Sequence, residues 1–200
     1  MTERNNNRAA RHRHSGVGMI EVLIAILVFS MGMLALVGMQ LAGKRASFEA
    51  TQRSIATGLA RDIIERMRSN PDQLNAYAIS NIGDPNDPLA TPDPDCAAAN
   101  CIPSQLADYD LASWESLLVG AEEQLAGNNA GGLVSPRACI SNADGNVTIA
   151  IAWRGVISAT NPADSNCGNA VIGLYDDADE AEGNNLKRRL LVLSTFIGNS

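Results

Sequence analysis

Residues 17–41 are apolar almost without interruption, and Glu21 is the only ionisable side chain among them. At 1.5 Å rise per residue such a run is long enough to cross a hydrocarbon core, which takes about 20 residues. The pattern changes at Lys44-Arg45. Beyond it Phe48, Ile55, Leu59, Ile63 and Met67 recur largely at spacings of four among Gln52, Arg53, Arg61, Asp62, Glu65 and Arg68. That is an amphipathic helix with one face available to a sheet. No proline falls between residue 17 and Pro71, so one helix is predicted across residues 17–69, with Asn70-Pro71 ending it. Gly32, Gly38 and Gly43 each weaken it by about 1 kcal/mol relative to alanine and leave it able to bend.

The next stretch is dense in Pro, Asp, Asn and Gly, with Asp84-Pro85-Asn86-Asp87-Pro88 and Thr91-Pro92-Asp93-Pro94 as turn signals. Within it, Leu106, Leu111, Trp114, Leu117, Leu118 and Leu125 keep helical spacing, which predicts one or two short helices over residues 104–126, with Trp114 as a core anchor. Farther on, Val147, Ile149, Ile151 and Trp153 alternate with Thr148, Ala150, Ala152 and Arg154, the period of a strand with one buried face. Residues 134–141 can pair with it through the turn Asn142-Ala143-Asp144-Gly145-Asn146, and residues 188–197 supply another strand. An antiparallel sheet packed on the amphipathic half-helix closes the core, since neither surface is stable alone in water. The fold class is therefore α+β.

Ahead of the apolar run lie Arg4, Arg8, Arg11 and Arg13 against one acid, Glu3. Such a flank stays in the cytoplasm, with the far end of the helix outside. An ordinary signal peptide has a shorter apolar core, about 7–15 residues, followed by its small-residue cleavage site. Here the run is longer and the small residue, Gly16, precedes it, so a cut there leaves the helix on the mature chain.

Gly16 followed by Val17-Gly18-Met19-Ile20-Glu21-Val22-Leu23 resembles the leader junction of type IV prepilins, whose common form is glycine and then Phe-Thr-Leu-Ile-Glu-Val. Val17 stands in place of the phenylalanine. The segment over residues 52–70, and more loosely Tyr109-Asp110-Leu111 with Trp114, is similar to the minor-pilin branch known as type IV pilus modification proteins. The resemblance implies the pilin fold, a long N-terminal helix on a C-terminal antiparallel sheet. It implies leader cleavage between Gly16 and Val17, N-methylation of Val17 by the prepilin peptidase, and pairing of Glu21 with an N-terminal amine during subunit docking. The implied partners are the major pilin, other minor pilins and, before assembly, the inner membrane, which the chain crosses once with its N-terminus cytoplasmic and its domain periplasmic. The expected divisions are a leader (1–16), a transmembrane or filament-core helix (17–43), its amphipathic continuation (44–70), a variable connecting region with short helices (71–133) and a sheet region (134–200). A pseudopilin of a type II secretion system and a surface-binding adhesin module are the alternatives.

Charge and candidate chemistry narrow this picture. Removing four arginines and one glutamate with the leader takes the formal net charge from −7 to −10, which repels nucleic acid. Lys187-Arg188-Arg189 is the one tight basic cluster after the helix, read as the start of a strand or a contact with acidic neighbours. Cys96, Cys101, Cys139 and Cys167 all fall on the side placed outside the cytoplasm, where an even number favours two disulfides. Three connectivities are open; the favoured one joins Cys96 to Cys101 across a short loop and Cys139 to Cys167 from a strand to a later excursion. Zinc is the alternative, but the spacing lacks the usual paired ligands. Residues 176–185 are rich enough in carboxylates to suggest calcium, yet their spacing misses the twelve-residue calcium loop, and a solvated acidic turn is the reading adopted. His12 and His14, the only histidines, sit in the leader. No catalytic constellation, phosphate loop or zinc-hydrolase motif is present, so neither an enzyme nor a cofactor is expected.

Overall fold

The computed structural model describes residues 18–198, so the leader and the Gly16-Val17 junction lie outside the described residues. Helix α1 runs unbroken over Met19–Ser69, straight through Gly32, Gly38 and Gly43. Two compact units divide between Lys44 and Arg45. The described part of the first is the apolar half of α1, and all of its residues are exposed.

The second unit contains the rest of α1, β1 (Ile79–Ile82), α2 (Pro103–Val119), a small hairpin of β2 (Gln124–Leu125) and β3 (Asn128–Asn129), and then β4 (Arg137–Ala143), β5 (Asn146–Arg154) and β6 (Arg188–Phe196). The main sheet is antiparallel in the order β1-β4-β5-β6. The β4–β5 hairpin turns at Asp144-Gly145, both at positive φ, as a two-residue hairpin loop requires.

Val147, Ile149, Ile151 and Trp153 all turn into the core, where they meet Ile63 and Met67 of α1 and Trp114 and Leu118 of α2. The inward face of α1 departs from the expected stripe. Gln52, Ala56, Ala60, Ile63, Ile64 and Met67 are buried, Ile55 and Leu59 only partly, and Phe48 is 41% exposed. Alanines let the helix approach closely, and Gln52 is tolerated because its amide clamps a loop, accepting from Val134 N–H at 3.0 Å and donating to Gly132 O at 3.4 Å.

Two further expectations need correction. The expected helical stretch is one helix of 17 residues with Pro103 in its first turn, but it stops at Gly120 short of residue 126, and the segment carrying Leu125 forms the β2–β3 hairpin. Gly120 adopts φ 68°, closing α2 with N–H bonds back to Leu117 and Ser116 carbonyls. The sheet also recruits β1 from the connecting region, with Ile79 opposite Ile140 and Ile82 opposite Ala138.

Burial of β5 is two-sided as well. Ala150 and Ala152 are buried although they alternate with the core residues. The long return between β5 and β6 is sewn to that side of the sheet through Cys139, the register partner of Ala150.

Candidate assembly surface

Glu21 occupies the first turn of α1, where the helix dipole favours a carboxylate. Its backbone N–H donates to Gly18 O at 3.0 Å, and its residue is exposed. Around it Ile20, Val22, Leu23 and Ile24 are exposed too, and an 18-residue window of the helix is 0% buried while being apolar enough to cross a membrane. An apolar surface of this extent requires a cover, whether lipid or the helices of other subunits. A single acid within it is costly, by roughly 2.5–3.5 kcal/mol at a bilayer centre and less near the interface, and a cationic partner would offset that cost.

In the sheet unit the structure pairs Cys96 with Cys101 and Cys139 with Cys167, leaving no free cysteine among the described residues and no thiolate for zinc. The two disulfides do different jobs. The first closes a five-residue separation just before α2; the second spans 28 residues and holds the return loop.

That loop is organised by one member of the basic cluster, in a role its sequence does not reveal. Arg188 is 1% exposed, and its guanidinium donates to Cys167 O, Asn161 Oδ1, Pro162 O and Ser165 O. Its neighbours in the basic cluster take acids instead: Lys187 meets Asp177 at 3.1 Å and Arg189 meets Glu49 at 3.2 Å. The expectation of acidic neighbours thus holds for two of the three cations, while Arg188 is an internal scaffold for carbonyls.

The acidic turn is likewise occupied by its own chain. Asp176 accepts N–H bonds from Gly173, Gly183 and Asn185 at 3.2, 2.7 and 2.9 Å. These bonds, the one from Asn185 foremost, hold its carboxyl below the usual range. Asp177 is lowered by Ser158 Oγ and then by Lys187. Among the described residues no group of three or more His, Cys, Asp or Glu is disposed to hold a metal.

Two more anchors join the elements. Trp114 is fully buried and its indole N–H donates to Leu59 O at 2.9 Å, which makes it a core residue. Asp110 of α2 takes Arg66 at 3.2 Å and the Tyr77 hydroxyl at 2.6 Å, locking the end of α1, the turn after it and α2 together.

A long helix with a bare apolar half, continuing into a disulfide-tied α+β unit, fits a membrane-anchored structural subunit. A family model for the prokaryotic N-terminal methylation motif matches residues 11–37, and one described as Tt1218-like, type IV pilin Tt1218, matches residues 38–112. The two matches, contiguous over residues 11–112, support a type IV pilin family. No curated protein and no solved structure matches it. The family is structural rather than catalytic, and its setting is pilus assembly, with processing by the prepilin peptidase and contact with other pilins.

Proposed function

We propose that this pilin is a minor subunit, carried in the filament or its tip complex, that promotes pilus assembly once its leader is cut between Gly16 and Val17 and Val17 is N-methylated. Before assembly it crosses the inner membrane once through residues 17–43, N-terminus in the cytoplasm, with the sheet unit periplasmic. The observation that carries this reading is Glu21, the lone carboxylate in the wholly exposed apolar half of α1. Cleavage creates an α-amino group one helical turn from it, and methylation keeps that charge. A neighbour's amine docking on Glu21 sets axial register while the apolar helices supply packing. The likeness of residues 52–70 and 109–114 to type IV pilus modification proteins supports the minor role.

The test joins chemistry to genetics. Mass spectrometry of the mature protein is expected to begin at methylated Val17, and Glu21→Ala is expected to enter the pilus poorly. Deletion is expected to remove pili and twitching. Loss of exoprotein secretion with pili intact assigns the chain to a secretion system, and an uncut leader in assembled material ends the reading altogether.

A further inference from the structure

β6 lies at one edge of the main sheet; the other edge, β1, has four residues and an irregular register. By contrast β6 pairs with β5 without a break from Arg188 to Phe196, and residues 190–197 contain neither charge nor proline. Bonds flanking the ladder, Gly155 N–H to Lys187 O and Ile197 N–H to Gly145 O, set its alternation. Odd-numbered residues of β6 therefore bond β5, while Leu190, Val192 and Ser194 turn N–H and C=O outward. Among the described residues no bond to those outward groups is present. Edges of this length are ordinarily shortened, charged or covered, because they template another strand.

A charged stripe runs beside this edge. Glu49, Arg53, Thr57, Arg61 and Arg68 fall at spacings of four, four, four and seven, which is one side of α1. Its two ends are fixed to β6: Glu49 pairs with Arg189 at 3.2 Å, and Arg68 donates to Thr195 at 3.4 Å. The opposite flank of α1 faces α2 through the Arg66–Asp110 pair and the Trp114–Leu59 bond. Between the two anchors Arg53 and Arg61 are exposed, and neither has a carboxylate partner among the described residues. The cations of the sheet and its loops are spent internally: Arg137, Lys187 and Arg189 on acids, Arg154 and Arg188 on carbonyls.

We infer that the β6 edge and the two arginines beside it accept an extended, carboxylate-bearing segment of a neighbouring pilus subunit, added to the sheet as a further strand. Main-chain bonds to the outward groups of β6 supply the affinity, and strand alternation presents every second side chain to α1, where Arg53 and Arg61 select acids. Antiparallel pairing with the β6 strand of a second copy does not suit the site. α1 and β6 run in the same sense, from Glu49 beside Arg189 to Arg68 beside Thr195, so antiparallel pairing of two β6 strands would point the two helices in opposite directions. Subunits sharing one membrane or filament cannot do that. The inference rests on the assembly role proposed above.

The test places the photo-crosslinking residue p-benzoylphenylalanine at Ser194 of the full-length chain, in cells that assemble the pilus, and maps the crosslinked peptides. The expected product is a segment of another pilus subunit with carboxylates at alternate positions. Its yield should fall several-fold in an Arg53→Glu, Arg61→Glu double variant and persist with lysine at both positions. A crosslink to lipid, to β6 of a second copy or to a helix overturns the inference, as does a yield indifferent to charge reversal. Pilus incorporation is scored in the same cells. Incorporated protein without the crosslink removes this docking surface alone, whereas absence of the unsubstituted chain from the pilus removes the assembly role and the surface with it.

Discussion

The Arg188 guanidinium grips the carbonyl of disulfide-bonded Cys167 twice, from Nε at 3.1 Å and from one Nη at 2.9 Å. A covalent tie and a buried cation therefore meet at one residue of the return loop. Burial lowers the pKa of Arg188, yet it retains its charge because guanidinium starts so high.

Replacing Arg188 by methionine leaves the Cys167, Pro162 and Ser165 carbonyls without a donor. A loss of about 2–4 kcal/mol is expected: hydrogen bonds to charged groups contribute roughly 1.5–3 kcal/mol each and orphaned acceptors add to the cost, but removing a buried cation relieves several kcal/mol of desolvation. Arg188→Lys should recover only part of it, because one ammonium cannot reproduce the planar fork. Urea denaturation of the full-length protein in detergent, with its disulfides intact, measures both. Equal stability of the methionine variant and the parent would show that the ring of carbonyls holds without its cation.

The two disulfides should differ in what their removal costs. Chain-entropy arithmetic gives about 3–4 kcal/mol for a closed loop near 28 residues and about 2 kcal/mol for one near five. A Cys139→Ser, Cys167→Ser variant is thus expected to unfold at lower urea than a Cys96→Ser, Cys101→Ser variant. Limited proteolysis adds a spatial readout, with cleavage appearing in residues 156–187 for the first and in residues 90–102 for the second. The reverse ranking would mean that local contacts around Cys96 outweigh loop length.

How legible these features were in the sequence follows from whether each is a periodic or a convergent property. α1 was readable because 51 residues without proline leave few alternatives, and β5 because its alternation is strict. The burial of Gln52 is not legible in the sequence, since it depends on Val134 N–H and Gly132 O, some 80 residues away. β1 leaves no alternation in the sequence, because Ile79-Ser80-Asn81-Ile82 has two adjacent exposed polar residues and Asn81 sits at φ 66°. Leu125 kept helical spacing after Leu118, but Gly120 at positive φ had already ended the helix. Of the candidate site, Glu21 and the four cysteines carry local motifs or parity arguments. Arg188 carries neither, because its acceptors are backbone carbonyls that any sequence supplies.

Stability should fall at both extremes of pH for identifiable reasons. Burial, reinforced at Tyr77 by its bond to Asp110, pushes the pKa of Tyr77 and Tyr175 upward. A raised folded pKa contributes stability that is full below the unfolded value of about 10 and is lost as pH rises beyond it. Asp84, Asp176 and Asp177 are lowered, chiefly by hydrogen bonds from Asn86, Asn185 and Ser158 respectively. Their contribution is present above about 3.9 and is lost as pH falls through the folded values. Urea midpoints across pH 2–12 should trace both limbs, and Tyr77→Phe should flatten the alkaline limb while lowering the plateau by about 1 kcal/mol. An alkaline slope unchanged in that variant would assign the loss to other groups.

Glycine substitutions separate close approach from mere helix propensity. A Cβ on Gly120 would lie 1.9 Å from Gly131 O, at φ 68°, where α2 ends and Leu133 N–H bonds Leu118 O. Neither backbone can yield without breaking that crossing, so Gly120→Ala is expected to cost more than about 2 kcal/mol. Gly58 lies inside α1 with nothing within 4 Å of an added Cβ, so Gly58→Ala should instead stabilise by up to about 1 kcal/mol. Because both changes add the same methyl group, their opposite signs in thermal or urea unfolding isolate the backbone geometry. If Gly120→Ala were as well tolerated as Gly58→Ala, the crossing of residues 131–133 over the end of α2 could not be as close as described.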